Sequence, residues 1–236
     1  SDVYKRQGHN LQVYAGMIAA LDRSVGKVVQ KLKDLDIYGK TLIIFTSDNG
    51  GANYIELEDI NKPFRGWKIS FFEGGIRVPF IVSWPDKIDP GMNSDSAVHH
   101  FDIFPTIASA AQVEPSNERI LDGVDLLPHI KKENSAEPHK TLFWRSGNHQ
   151  SVLHEKWKYI ISIKENKRWL FDTSIDPSEK NNVIESHPRE AKKLEELLQK
   201  FNSEQKEPLF PSAFEAPIMI DKYDGQEYEE GDEYIY

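Results

Sequence analysis

The most constraining feature of this chain is the run Thr41-Leu-Ile-Ile-Phe-Thr46, apolar and β-branched without interruption, set between an amphipathic helical pattern and the polar turn Ser47-Asp-Asn-Gly-Gly51. A short apolar run bounded in this way suits a strand buried on both faces, as in a parallel sheet. Upstream, Val13, Met17, Leu21, Val25, Val28 and Leu32 recur at three- or four-residue steps and predict a helix over 9–35, with Gly39 just past its end as the stop. A helix feeding a buried strand is an αβ unit and places the chain in the α/β class. Val78-Pro-Phe-Ile-Val-Ser-Trp84 reads as a second buried strand closed by Pro85, and Phe101–Ala111 as a helix with Asp102 near its start and Pro105 in its first turn.

After about residue 130 the texture changes. Lys131–Lys140 is charged and unfriendly to helix, as an inter-domain linker would be. Four short segments then alternate with turns: Thr141–Trp144, Ser151–Leu153, Lys158–Ile163 and Arg168–Phe171. They predict a small antiparallel sheet. Pro188–Phe201 carries a helical stripe of Ala191, Leu194, Leu197, Leu198 and Phe201, and the acidic, tyrosine-rich residues 205–236 show no period. The expected division is 8–130, a small α+β domain over 131–204, and a tail. Residues 1–7, SDVYKRQ, can be encoded by a transposase-end sequence used in library preparation. They are set aside from the fold, and the start of the reading frame is expected upstream.

Composition closes several routes. A formal charge of −9 argues against nucleic acid as a partner. No apolar run reaches the ~18 residues that cross a bilayer. With no cysteine among the 236 residues, neither a disulfide nor a thiolate metal site nor a cysteine nucleophile can come from them.

Asp48 and Asn49 offer hard oxygen ligands of the kind Ca²⁺ or Mg²⁺ takes, where a strand ends. An Asn-Gly hairpin turn is the alternative reading. Lys68 sits between Gly66 and Gly74-Gly75, where backbone passing close to a ligand would let its ammonium meet an anionic oxygen; a solvated surface lysine is the alternative. Glu73 and Arg77, four apart, read as an internal ion pair fixing a loop. His99 and His100, ahead of a helix, read as structural, as does Asp102.

TSDNGG followed by FRGWKISFFEGGIRVPFIVSWP resembles, in order and spacing, the metal-and-lysine segment of formylglycine-dependent sulfatases. YAGMIAALDRSVGKVVQKL, HHFDIFPTIA and WKYIISIKENKRWLFDTSIDPSEKNNV resemble the flanking helix, the helix leading away from the core, and the carboxy-terminal strand pair of that family, so the likeness runs over roughly residues 8–200.

The resemblance implies an alkaline-phosphatase-like α/β sandwich, present in part, with a small C-terminal α+β antiparallel-sheet domain. It implies hydrolysis of an aryl or carbohydrate sulfate ester at one divalent cation, most often calcium, with magnesium the other candidate. Asp48 and Asn49 match the family's later pair of metal ligands, and Lys68 its sulfate-contacting lysine. Trp144, Arg145, Asn148 and His149 fall in a loop that approaches the active-site mouth in the family, and an exposed polar loop is the alternative. The C/S-x-P-x-R motif that yields formylglycine occurs nowhere in the chain, so the nucleophile and the first aspartate pair are expected upstream of residue 8. Where the family has Gly-Gly-Lys, this chain has Gly66-Trp67-Lys68, which sets an indole beside the lysine as a pocket wall or as packing. A sulfated small molecule or glycan, a formylglycine-generating enzyme and a periplasmic or otherwise extracytoplasmic location complete what the resemblance implies.

Overall fold

The computed structural model describes residues 2–116, 118, 120–210 and 217–235. Two compact units emerge. One joins Ser1–Ala15, Ser47–Pro79 and Thr141–Tyr236; the other joins Gly16–Thr46 and Phe80–Lys140. The units interleave along the chain, whereas the expected domains follow one another.

The helix α1 spans Asp2–Asp34 and so begins before the expected residue 9. Its stop differs from expectation. Asp36 takes the left-handed conformation at φ 54°, with Ile37 N–H donating to Leu32 O at 3.0 Å and Asp36 N–H to Lys33 O at 3.0 Å. This is a Schellman closure in which aspartate serves in place of glycine. Gly39 answers a different need, since a Cβ there would overlap the carboxylate of Asp86, whose N–H donates to Gly39 O at 3.1 Å. The apolar stripe of α1 is exposed at Val13, Met17, Leu21 and Val28.

In the second unit, β1 (Ile43–Thr46) pairs with β2 (Phe80–Ser83). The pairing is antiparallel, Ile43 opposite Ser83 and Phe45 opposite Ile81, which overturns the expected parallel arrangement. Neither strand is buried on both faces, for the cross-strand pair Phe45 and Ile81 is 36% and 57% exposed. A continuous apolar run records which residues avoid water and carries no sign of strand direction, so that inference exceeded its signal.

The same unit is fastened at Asp102, which has no exposed surface and precedes α3 (Ile103–Ala110). Its carboxylate accepts from His99 N–H at 2.7 Å, from Val124 N–H at 2.9 Å and faces His139 Nε2 at 2.8 Å. His99 returns the favour by accepting from Phe101 N–H, completing a capping box, while His100 Nε2 lies 3.3 Å from Thr46 Oγ1. The residues 127–130 form the short α4 (Leu127–Ile130). Burial pushes the Asp102 carboxyl up, but His139 and the two backbone N–H groups outweigh it and hold the group below the usual carboxylate range. A folded value below the unfolded one means the stabilisation is complete above roughly pH 4 and lost as pH falls through the folded value. Asp102→Ala should therefore cost about 3 kcal/mol at pH 7 and progressively less in acid, read from urea midpoints at the two ends of that range.

The first unit holds a four-stranded sheet in the order β3-β4-β5-β6: Thr141–Ser146, His149–His154, Trp157–Ser162 and Lys167–Asp172. All pairings are antiparallel, as the turn-punctuated pattern predicts. Both faces are covered. On one, Val152, Tyr159 and Leu170 pack under Ala191, Leu194 and Leu198 of α5 (Pro188–Glu204). On the other, Ile160, Trp169 and Phe171 meet Phe72 together with Ile218, Ile220 and Ile235 of the C-terminal segment. That segment forms the short pair β7 (Ile218–Met219) and β8 (Tyr234–Ile235) and is part of this core. Among the described residues, no helix is long and apolar enough to cross a membrane.

Candidate active site

Asp48 and Asn49 follow β1 after Ser47, and Lys68 lies 17 residues beyond Gly51. The backbone sews these segments together. Lys68 N–H donates to Gly51 O at 2.9 Å, and Gly50 N–H to Gly75 O at 2.9 Å. Asn61 bridges them with its whole amide: its Oδ1 accepts from Gly51 N–H at 2.7 Å, while its Nδ2 donates to Gly51 O at 2.9 Å and to Gly66 O at 3.0 Å. Sequence reasoning passed over Asn61, which stands in an irregular polar stretch. A lone Asn has no period to betray it.

The glycines admit close neighbours within this region, a role the sequence reading did not assign them. A Cβ on Gly50 would overlap the Gly74 carbonyl oxygen, one on Gly74 would sit 2.6 Å from Arg65 O, and one on Gly66 would sit 2.6 Å from Ser70 Oγ. Close packing of three glycine-bearing turns is what holds the Asp48 and Lys68 segments side by side.

Lys68 occupies a tight turn from Trp67 to Ser70. Ser70 N–H donates to Trp67 O at 3.0 Å, and the Ser70 hydroxyl bonds both Trp67 O, at 2.8 Å, and Trp67 N–H, at 3.2 Å. Ile69 takes φ 83°, a left-handed value that strains a β-branched residue and that such turns ordinarily give to glycine. Its side chain packs on the Phe72 core cluster, which offsets the strain.

The side chains left over are suited to ligands. Asp48 is exposed and in no ion pair among the described residues; the half-buried Lys68 likewise has none. Asn49 Nδ2 donates to Gly50 O at 2.8 Å, which fixes the amide and leaves Oδ1 to accept. These two oxygens fit two places in the oxygen shell of a hard divalent cation. No group of three or more His, Cys, Asp or Glu arranged to hold a metal occurs among the described residues.

Glu73, at the start of the short α2 (Glu73–Ile76), has the expected partner in Arg77 at 3.4 Å. Its nearer partner, missed in the sequence, is Lys158 on β5, whose Nζ lies 2.6 Å away and has no exposed surface.

The four residues Trp144, Arg145, Asn148 and His149 are not gathered in one loop. Ser146-Gly147-Asn148-His149 is a two-residue hairpin with Gly147 at φ 52°, and the flanking residues belong to β3 and β4. Strand alternation then divides them. Trp144 and His149 share the face with Ile160 and Lys158, and Arg145 takes the other, where its guanidinium donates to Lys206 O at 3.0 Å. Asn148 stays in the turn, its carbonyl accepting from Ile163 N–H at 2.8 Å. His149 is buried and stacks on Phe71 with ring centroids 4.7 Å apart, directly beneath the Lys68 turn. Burial, and then the nearby Lys158 ammonium, pushes its pKa down to about 3, so the ring is neutral.

Trp67 is 5% exposed and lines a cleft of about 330 Å³ with Asn61, Lys62, Arg65, Lys180 and Asp221. Asp48, Asn49 and Lys68 do not line it.

Two family models cover most of the chain. The sulfatase model matches residues 2–113, and the model of the N-sulphoglucosamine sulphohydrolase C-terminal region matches residues 66–207. The chain belongs to the sulfatase family. Rat steryl-sulfatase is 32% identical over 180 residues, spanning 74% of this chain and 31% of the relative. The N-acetylgalactosamine-6-O-sulfatase of Bacteroides thetaiotaomicron is 30% identical over 207 residues, spanning 78% and 40%. The chain thus spans well under half the length of these sulfatases. Among solved structures, Ps i-CgsB in complex with k-i-k-neocarrahexaose superposes with a TM-score of 0.76 at 30% identity, over 86% of this chain and 45% of that one. The phosphonate monoester hydrolase of Agrobacterium radiobacter shares the fold, with a TM-score of 0.62 at 24% identity over 81% and 40%. The mixed α/β architecture is thus that of the alkaline-phosphatase-like sulfatases, in part.

Proposed function

We propose that the full-length protein, of which this chain supplies one side of the site and is inactive alone, hydrolyses sulfate esters of an aryl or carbohydrate substrate outside the cytoplasm, with Asp48 and Asn49 as two ligands of one divalent cation, calcium before magnesium, and Lys68 against the sulfate. One observation carries the reading: backbone hydrogen bonds set the Lys68 segment beside the Asp48 segment, Lys68 N–H on Gly51 O at 2.9 Å, and neither side chain is in an ion pair among the described residues. A cation bound there would draw charge from a sulfate oxygen. The Lys68 ammonium would donate to an anionic oxygen as the ester bond breaks, stabilising charge that grows towards the departing alkoxide or phenoxide. The rigid Trp67–Ser70 turn fixes where that lysine starts. The nucleophile, a formylglycine installed by a maturing enzyme, lies in this reading outside the 236 residues.

Calcium binding tests the reading without needing turnover. Titration calorimetry on the full-length protein should show binding that Asp48→Ala weakens by about tenfold or more, since one charged oxygen leaves the shell. Calcium affinity unchanged by that substitution would remove the metal assignment. The fold shared with a phosphonate monoester hydrolase keeps a second reading in play, a phosphonate or phosphate ester substrate. Relative rates of the full-length enzyme on an aryl sulfate and the matching aryl phosphonate decide between them.

A further inference from the structure

We propose that Lys158 is a positioning residue for the Asp48–Asn49 and Lys68 turns, acting from the C-terminal sheet through Glu73 and Glu179. The proposal takes from the functional reading only the importance of those two turns; the mechanical link is a matter of geometry in the first unit.

Lys158 has no exposed surface, and its Nζ lies 2.6 Å from Glu73 Oε1 and 2.9 Å from Glu179 Oε1. Glu179, also without exposed surface, accepts the backbone N–H of Glu73 at 2.6 Å. Glu73 is thereby gripped twice, by side chain and by main chain. The two residues after it carry the grip outward. Gly74 N–H donates to Arg65 O at 2.7 Å, on the strand of chain that leads into the Lys68 turn, and Gly75 O accepts from Gly50 N–H at 2.9 Å, next to Asn49. From the β5 ammonium to each functional turn the path is a few directly bonded residues.

The charge balance argues that orientation is what this cluster delivers. One ammonium faces two carboxylates, and the other charged groups nearby do little to help. Arg77 reaches only the outer oxygen of Glu73 at 3.4 Å, and His149, on the same sheet face, is held neutral. Burial pushes the Glu179 carboxyl up to about 7 against the pull of Lys158. A triad that must hold surplus negative charge in a dry interior gains little over a packed apolar core. It does fix direction: three ionic groups admit one arrangement, where methyl groups would admit several.

Amide hydrogen exchange on the intact chain tests this. Lys158→Met leaves two buried carboxylates facing each other, so it is paired with the neutralised Lys158→Met/Glu179→Gln, in which Glu73 keeps Arg77. In the double variant, exchange over 48–51 and 65–70 should quicken about tenfold while β4 and β6 keep wild-type protection. Wild-type exchange at both turns overturns the proposal. So does quickening spread evenly over the sheet, or failure of both variants to fold, since either makes Lys158 a general stabiliser. Calcium calorimetry on the full-length wild-type protein is run alongside: absence of binding sinks the metal-site reading and leaves the exchange result to decide the role of Lys158.

Discussion

In the full-length enzyme with its formylglycine, Lys68→Met should lower kcat/KM for an aryl sulfate by about 10²–10³, which corresponds to about 3–4 kcal/mol of transition-state stabilisation. The lysine makes no ion pair among the described residues, so its ammonium is not spent on structure, and a methionine of similar length preserves the packing of its stem. The backbone bond from Lys68 N–H to Gly51 O survives the change. The melting temperature and calcium affinity should therefore stay near wild type while turnover collapses. Because the stabilised charge grows as the ester bond breaks, the loss should sit in kcat more than in KM. It should also deepen as the leaving group becomes more basic, which a series of aryl sulfates with graded phenol pKa would read. A uniform loss across that series, or a loss in KM alone, would move Lys68 from the departing oxygen to ground-state binding.

How much of this was legible in the sequence depends on the kind of signal. The sheet β3–β6 was legible within a few residues because each strand is short, alternating and bracketed by turn chemistry. The stripe of α5 was legible for the same reason, its Leu194 and Leu198 being core residues. Asp48, Asn49 and Lys68 were legible as candidates because oxygen ligands after a strand and a lysine between glycines are unusual combinations. Their juxtaposition was not, because Asn61 and Gly74 achieve it through partners distant in sequence. Strand direction in β1 and β2 was invisible for lack of any local correlate. Lys158 was the hardest case. In Trp-Lys-Tyr-Ile it looks like the polar phase of an alternating strand, and only the fold brings it to Glu73, 85 residues away, and to Glu179 in an Asp-Pro-Ser-Glu turn. Alternation does assign its face correctly, the face of Ile160 and of His149, but parity cannot tell that the face is covered. The C-terminal segment is similar: without a period it reads as a tail, yet Asp221 and Glu233 clamp Arg65 at 2.5 and 2.6 Å, and Ile220 and Ile235 are core.

The tightest point of the candidate site gives the second large effect. Gly50→Ala should lower the stability of the first unit by about 3 kcal/mol or more, a fall of roughly 6–12 °C in its melting temperature. The added Cβ would overlap the Gly74 carbonyl oxygen and stand 2.8 Å from its carbon and 3.1 Å from Gly75 Cα. No flexible side chain is present to yield, so one backbone must move, and the Gly50 N–H to Gly75 O bond is the first to go. That bond couples the Asp48–Asn49 turn to α2, so calcium affinity should fall in the same variant although no oxygen ligand was touched. Gly16→Ala and Gly26→Ala provide the control. Both sit in α1 with nothing within 4 Å of the new methyl group, and each should stabilise the chain by up to about 1 kcal/mol through helix propensity alone. If Gly50→Ala behaves like those two, the close approach of the two turns does not exist in solution, and with it goes the argument that Gly50, Gly74 and Gly75 assemble the metal and lysine segments into one site.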